Sequence, residues 1–341
     1  MANFRYPAEW EKHQACWLAW PSHKELWLES LEEAQAEFTG LCQAMGENLE
    51  ILVPDETAKA DAQRALKGLS VRFHLIPFGD IWLRDTAPIF LTDSEGALAT
   101  ARFSFNGWGG KYVLPYDDQV STRIARAAEF KEFKFPWILE GGSVEVDGEG
   151  TCLTTRQCLL NDNRNKGMTE AQVEAGLRDA LGVKTVLWLQ DGLLNDHTDG
   201  HIDTLARFTA PGTVVCMKPN SQNDPNREVL EEIARDLAGF QDASGRRLKV
   251  VTVPSPGKVL GKDLNDDDRI MPASYLNFYI ANQSVVVPIY GSPHDNEAVA
   301  AIAELFPGRK TVGLPAKAIL TGGGAFHCIT QQQPFGAIRN K

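Results

Sequence analysis

Apolar residues recur at helical spacing in four well-separated stretches of the chain. In "SLEEAQAEFTGLCQAM" the residues Leu31, Ala34, Phe38, Leu41, Cys42 and Met45 fall on one face. "MTEAQVEAGLRDALG" opens with Thr169 and Gln172 in the positions of a capping box, and "NREVLEEIARDLAGF" and "NEAVAAIAELF" repeat the one-sided pattern. These are helices with one buried side. Between them lie short β-branched or aromatic runs, "LEILVP", "RFHLIPF", "KTVLWL", "LKVVTVP", "QSVVVPIY" and "KTVGLP", which read as strands. The alternation predicts an α/β fold.

Most of these runs end at a proline, a glycine or an acidic residue, and a further strand follows soon after, as in "FHLIPFGDIWLRDTAPIFL" and "VLWLQDGLLNDHTDGHIDTLARF". The recurring unit is a helix, a strand, a polar loop and another strand, at a spacing of roughly 60 residues, which is above the periods of common solenoids. No Pro/Ser-rich linker interrupts the series, so one catalytic domain spanning residues 1–341 is expected.

Composition narrows the function. The chain sets 34 Lys and Arg against 45 Asp and Glu, a formal charge of -11. That balance argues against nucleic acid or an anionic membrane as partner and suits a cationic ligand. No apolar run is long enough to span a bilayer, and the opening "MANFRYPAEWEKHQ" is too polar for a targeting peptide, so a cytoplasmic protein is expected. Six cysteines without a CxxC pair predict free thiols and neither a disulfide framework nor a structural zinc site.

Chemistry collects at the loop ends. "DIWLRDTAP" carries Asp85, "LEGGS" carries Glu140, "DGHID" carries His201 and Asp203, and "GGGAFHCIT" frames Cys328 between glycines and a glutamine run. Reading "HIDTLARF" as a strand puts His201 and Asp203 on one side, two residues apart, and sets His327 on the face opposite Cys328. Singly, each has a plainer reading: Asp85 as an ion pair with Arg84, Glu140 as a turn residue. Jointly they point to a shared site. Three carboxylates enclosed together need a cation, and a planar guanidinium that can give paired hydrogen bonds to each fits best. His197 and His201 are spaced as zinc ligands on a helix would be, but Gly200 between them disfavours a helix.

The ordered segments "PAEWEKHQACWLAWPSH", "IWLRDTAP", "FNGWGGKY", "LEGGSVEVDGEGT", "TDGHIDTLARF" and "GGGAFHCITQQQP" together resemble the agmatine deiminase and bacterial peptidylarginine deiminase family of guanidine-modifying enzymes, from about Pro7 to Pro334. The resemblance implies a five-bladed, pseudo-fivefold α/β propeller of repeated β-β-α-β units around a central active site, with no metal and no organic cofactor. Residue by residue, it makes Cys328 the nucleophile, His201 the general acid and base, Asp85 and Asp203 the guanidinium clamps, and Glu140 the support of the histidine. Trp82, Trp108 and Tyr112 would wall an aliphatic channel, and His197 would face the substrate's far end. The family commonly has an acidic residue where this chain has His197 and an asparagine where it has Ala325. Agmatine is the favoured substrate, giving N-carbamoylputrescine and ammonia on the way to putrescine and the polyamines. Deimination of peptidyl-arginine or another guanidino compound, amidino transfer to an amine, and guanidine or polyamine binding without catalysis stay open, as does a homodimer.

Overall fold

The helix Leu31–Met45 buries all six residues of its apolar stripe and stops at Gly46, whose left-handed φ of 63° ends the hydrogen-bond ladder. The helix Glu170–Leu181 carries the capping box of Thr169 and Gln172 and ends the same way at Gly182. Both boundaries are local side-chain and backbone decisions. The computed structural model describes residues 3–262 and 268–338.

Five sheets repeat one pairing pattern: two antiparallel strands, then a helix, then a third strand parallel to the second. The first unit joins Ile89–Asp93, Leu98–Ser104 and Lys131–Ile138 across the helix Asp117–Ala127. The second joins Glu145–Val146, Thr151–Thr155 and Thr185–Leu189; the third joins Ala206–Ala210, Thr213–Lys218 and Lys249–Pro254. The fourth joins Tyr279–Ile280, Ser284–Ile289 and Lys310–Pro315. In the fifth, Gln331–Pro334 from the end of the chain pairs antiparallel with His13–Ala19 from its beginning, which pairs parallel with Leu49–Val53. A helix is the expected crossover, since a parallel pair cannot be joined by a tight turn. Every strand read from the apolar runs is present. Strand Ser284–Ile289 is buried over most of its length, as a strand covered on both faces should be. All six cysteines are free and buried, and among the described residues no helix is long and apolar enough to cross a membrane.

The loop end that carries Asp85 is ordered, and two short segments depart from the strand reading. Asp85 lies on a one-turn helix, Leu83–Thr86. His201 precedes a single 3-10 turn, Ile202–Thr204, and the strand begins only at Ala206. Local polar side chains decide this: Asp196 accepts from the backbone N–H groups of Thr198 and Gly200, and Thr198 Oγ1 accepts from that of His201. Such bonds compete with a sheet ladder and win where no neighbouring strand is available. The Cys328 segment is likewise a turn, with the Thr330 backbone N–H donating to the His327 carbonyl.

Beneath these turns lies a buried ionic cluster. Glu9 accepts from Arg207 Nη2 at 2.7 Å, His327 Nε2 at 2.7 Å and the Ile280 backbone N–H at 2.6 Å. Arg207 also donates to Glu145 at 3.0 Å and to the carbonyls of Leu276 and Phe278. Burial alone would raise the Glu9 carboxyl, but Arg207 and His327 outweigh it and hold Glu9 well below the ordinary carboxylate range. An Arg207→Leu substitution strands both carboxylates, so chemical denaturation is expected to show a loss of about 3–5 kcal/mol.

Candidate active site

The first guanidinium-clamp candidate is held from both sides. Asp85 Oδ1 accepts the Gly142 backbone N–H at 2.9 Å, and Oδ2 accepts Trp108 Nε1 at 2.8 Å. The adjacent Arg84 backbone N–H donates to the Cys328 carbonyl at 3.1 Å, which fixes the one-turn helix against the cysteine turn. Trp108 adopts a left-handed backbone, φ 50° and ψ 54°, between two glycines that do the same. Strain of that kind is retained where a side chain must be aimed, here at Asp85.

Asp203 and Cys328 meet through Asn277. The Asn277 amide donates to Asp203 Oδ2 at 3.2 Å and to Cys328 Sγ at 3.1 Å, while its oxygen accepts the backbone N–H groups of His327 and Cys328. The thiol is 3.7 Å from Asp203 Oδ2. His327 bridges Asp203 and Glu9, with each ring nitrogen 2.7 Å from a carboxylate oxygen.

His201 faces the same point. Its Nδ1 is 3.8 Å from Asp85 Oδ1, too far for a hydrogen bond, and both ring nitrogens lack hydrogen-bond partners. Glycine is required between these groups: a Cβ on Gly142 would lie 2.6 Å from His201 Nδ1, 3.0 Å from Asp85 Oδ1 and 3.3 Å from Asp203 Oδ2. Beside the thiol, a Cβ on Gly324 would meet Cys328 Sγ at 3.0 Å and Trp82 Cζ3 at 2.8 Å. These two glycines let four functional groups approach within contact.

Glu140 lies in this cluster with a different principal partner. Its Oε1 accepts Arg164 Nε at 2.6 Å, and Arg164 goes on to Asp199. Its Oε2 has no hydrogen-bond partner, and it comes close to His201 without bonding to it. Glu140, Cys158 and His201 each bring one ligand atom within 4.8 Å of the others, a donor set that zinc accepts. The Arg164 charge on Glu140 and the proton held by His201 both oppose a metal ion there. His197 Nδ1 lies 3.0 Å from the Tyr112 hydroxyl, within hydrogen-bond reach.

Electrostatics assign the resting protonation. Burial raises the Cys328 thiol, Asp203 and Asp85 raise it further, and it sits well above an ordinary cysteine. Burial works against charging His201, but Asp85, the nearby Cys158 thiol and Glu140 outweigh it and hold the imidazole well above its usual range. Burial also lifts Glu140, against Arg164 and His201, whereas the His327 bond overcomes the burial of Asp203 and holds it low. The empty site therefore favours the neutral form of the thiol and the charged form of His201.

The cleft leading to Cys328 encloses about 900 Å³ of space continuous with solvent and is lined by Trp82, Asp85, Trp108, Tyr112 and His197. All the residues singled out from the sequence thus gather at one place. Asn277, His327, Glu9 and Arg164 were not foreseen. The available signal was a polar residue inside an apolar run, as Asn277 stands in "YLNFYIA".

A family model described as Porphyromonas-type peptidyl-arginine deiminase matches residues 5–334. The chain is 38% identical over 354 residues to the agmatine deiminase of Pseudomonas aeruginosa (strain LESB58), covering 97% of this chain and 96% of that protein. It is 37% identical over 352 residues to the agmatine deiminase of Ectopseudomonas mendocina, with 97% and 96% covered. The solved structure of the agmatine deiminase of Enterococcus faecalis matches with a TM-score of 0.92 at 33% identity, covering 98% of this chain and 96% of that one.

Iodoacetamide alkylation of Cys328, followed by peptide mapping across pH, is expected to give an apparent pKa above the free-thiol value of about 8.5. Asp203→Asn removes a negative charge that opposes ionisation, so it should move that midpoint down.

Proposed function

The chain belongs to the Porphyromonas-type peptidyl-arginine deiminase family, and from that premise we infer that it hydrolyses agmatine to N-carbamoylputrescine and ammonia, with Cys328 as the covalent nucleophile. The observation that carries the mechanism is the convergence of Asp85, Asp203 and His201 on one buried thiol, in a pocket of carboxylates that a guanidinium would neutralise. Identity across nearly the whole length of curated agmatine deiminases supports the substrate. The repeated sheet pattern, closed by the two ends of the chain, supports reading the fold as a five-bladed, pseudo-fivefold α/β propeller that forms one catalytic domain.

Binding and activation are one event. The guanidinium docks between Asp85 and Asp203, and its charge offsets the two carboxylates that hold the thiol neutral. Cys328 then gives up its proton to solvent in the open cleft, and the thiolate attacks the central guanidinium carbon, forming a C–S bond as the C=N π pair moves onto nitrogen. His201 gives its proton to the departing nitrogen as that C–N bond breaks, and ammonia leaves. The neutral imidazole next takes a proton from water as the oxygen adds to the same carbon. The C–S bond then breaks as the new oxygen forms its C=O, the sulfur takes up the proton released from that oxygen, and the ureido product departs. Asn277 and His327 position Asp203 and the sulfur, and Glu140, held by Arg164, supplies negative charge behind His201. Tyr112 and the two tryptophans form the apolar walls for a methylene chain, with His197 farther along the cleft.

Amidino transfer shares the first half of this sequence, with an amine replacing water in the second; release of ammonia and ureido product from agmatine with no added amine selects hydrolysis. A panel of agmatine, arginine and a peptide with internal arginine, assayed for ammonia, tests the substrate, and activity confined to the peptide would refute it. Cys328→Ala should still bind agmatine by calorimetry while its turnover falls to background. Gly142→Ala should cost roughly 100-fold or more in kcat with the thermal transition little changed, because an added methyl displaces His201 by a fraction of an ångström to an ångström.

A further inference from the structure

Among the described residues, the cleft contains one carboxylate to which this mechanism gives no part. Asp80 lines it next to Trp82. Its Oδ1 accepts the Ile81 backbone N–H at 2.8 Å and its Oδ2 accepts Trp82 Nε1 at 2.7 Å. A carboxylate offers about four acceptor positions, and with the Trp27 indole also acting on Asp80 one is left for a ligand. Among the described residues no lysine or arginine makes an ion pair with it, and burial pushes its carboxyl up to about 6 against the Ile81 and Trp82 hydrogen bonds, the nearby His23 and the Trp27 indole. A half-buried anion of this kind is stabilised by whatever cation reaches it.

Trp82 relates this carboxylate to the reacting sulfur. One edge of the indole, at Cζ3, borders the space beside Gly324 and Cys328 Sγ. The opposite edge, at Nε1, is bonded to Asp80. The ring therefore spans the interval between thiol and carboxylate. An extended chain of four methylenes reaches roughly 6 Å between its terminal nitrogens, a length that suits the indole. Among the described residues, the other polar side chains of the outer cleft, His197, Thr198, Tyr112, Arg269 and Thr321, provide no negative charge.

We propose that Asp80 receives the distal ammonium of the substrate, with the Trp82 ring as the spacer that selects the chain length between guanidinium and amine. This rests on the deiminase reading above. It makes Asp80 a specificity residue: it contributes binding to substrates that carry the amine and nothing to those that lack it. A substrate bearing an α-carboxylate would bring a like charge toward Asp80 and is disfavoured.

The test compares agmatine with 1-butylguanidine, which keeps the guanidinium and the methylene chain but has no amine. Asp80→Asn retains an acceptor for Trp82 Nε1. The variant should raise KM for agmatine by about tenfold or more, with kcat and the KM for 1-butylguanidine changed by less than about twofold. An unchanged agmatine KM overturns the proposal. So does an equal rise for both guanidines, or loss of both activities, because Asp80 would then act by holding Trp82. Wild-type protein that uses arginine as well as agmatine also overturns it. Wild-type protein that releases ammonia from neither guanidine would sink the deiminase reading itself.

Discussion

The carboxylate of Glu9 is the point on which the rest of the architecture depends. It comes from the first residues of the chain and is bonded to Arg207 of the third unit, to the backbone at Ile280 of the fourth, and to His327 near the end. Arg84, on the segment that carries Asp85, lies 3.8 Å away. Buried charges are tolerated only when fully paired, so these contacts are all present together or the interior cannot close. His327 passes the constraint to Asp203, and Asp203 lies beside the sulfur. The geometry at Cys328 is thus set by the same network that joins the two ends of the chain.

That arrangement explains why the site can be both acidic and stable. Each carboxylate near the thiol already has a donor: Gly142 and Trp108 on Asp85, His327 and Asn277 on Asp203, Arg164 on Glu140. These donors hold the oxygens in place without cancelling all their charge. The remaining negative potential favours the protonated forms of the thiol and of His201. Under the proposed mechanism, a nucleophile that is inert in the empty site and ionises on binding needs no separate activating base. The cost of assembling like charges is offset in the frame, away from the reacting atoms.

Much of this was legible in the primary structure. The helix stripes, the capping box and the buried strands follow from short-range periodicity and side-chain-to-backbone bonds, and each lies where the pattern put it. Glycine-framed Cys328, together with Asp85, His201 and Asp203 at loop ends, marked the chemistry by residue type. The local conformation of those same residues was misread: two-residue alternation made a strand of "HIDTLARF", while Asp196 and Thr198 bend that segment into a turn. His201 and Asp203 still face one centre, through the curvature of the turn and not through a pleat.

The sequence by itself determined the elements, their order and the kinds of group available, because those depend on neighbours a few residues away. Only the tertiary structure decided the pairings. Asn277 between Asp203 and Cys328, Arg164 on Glu140, and Glu9 on both Arg207 and His327 join residues from about 24 to more than 300 positions apart. Such partners leave no periodic trace, since a buried polar group is satisfied by whatever donor the closed fold delivers, from any distance along the chain.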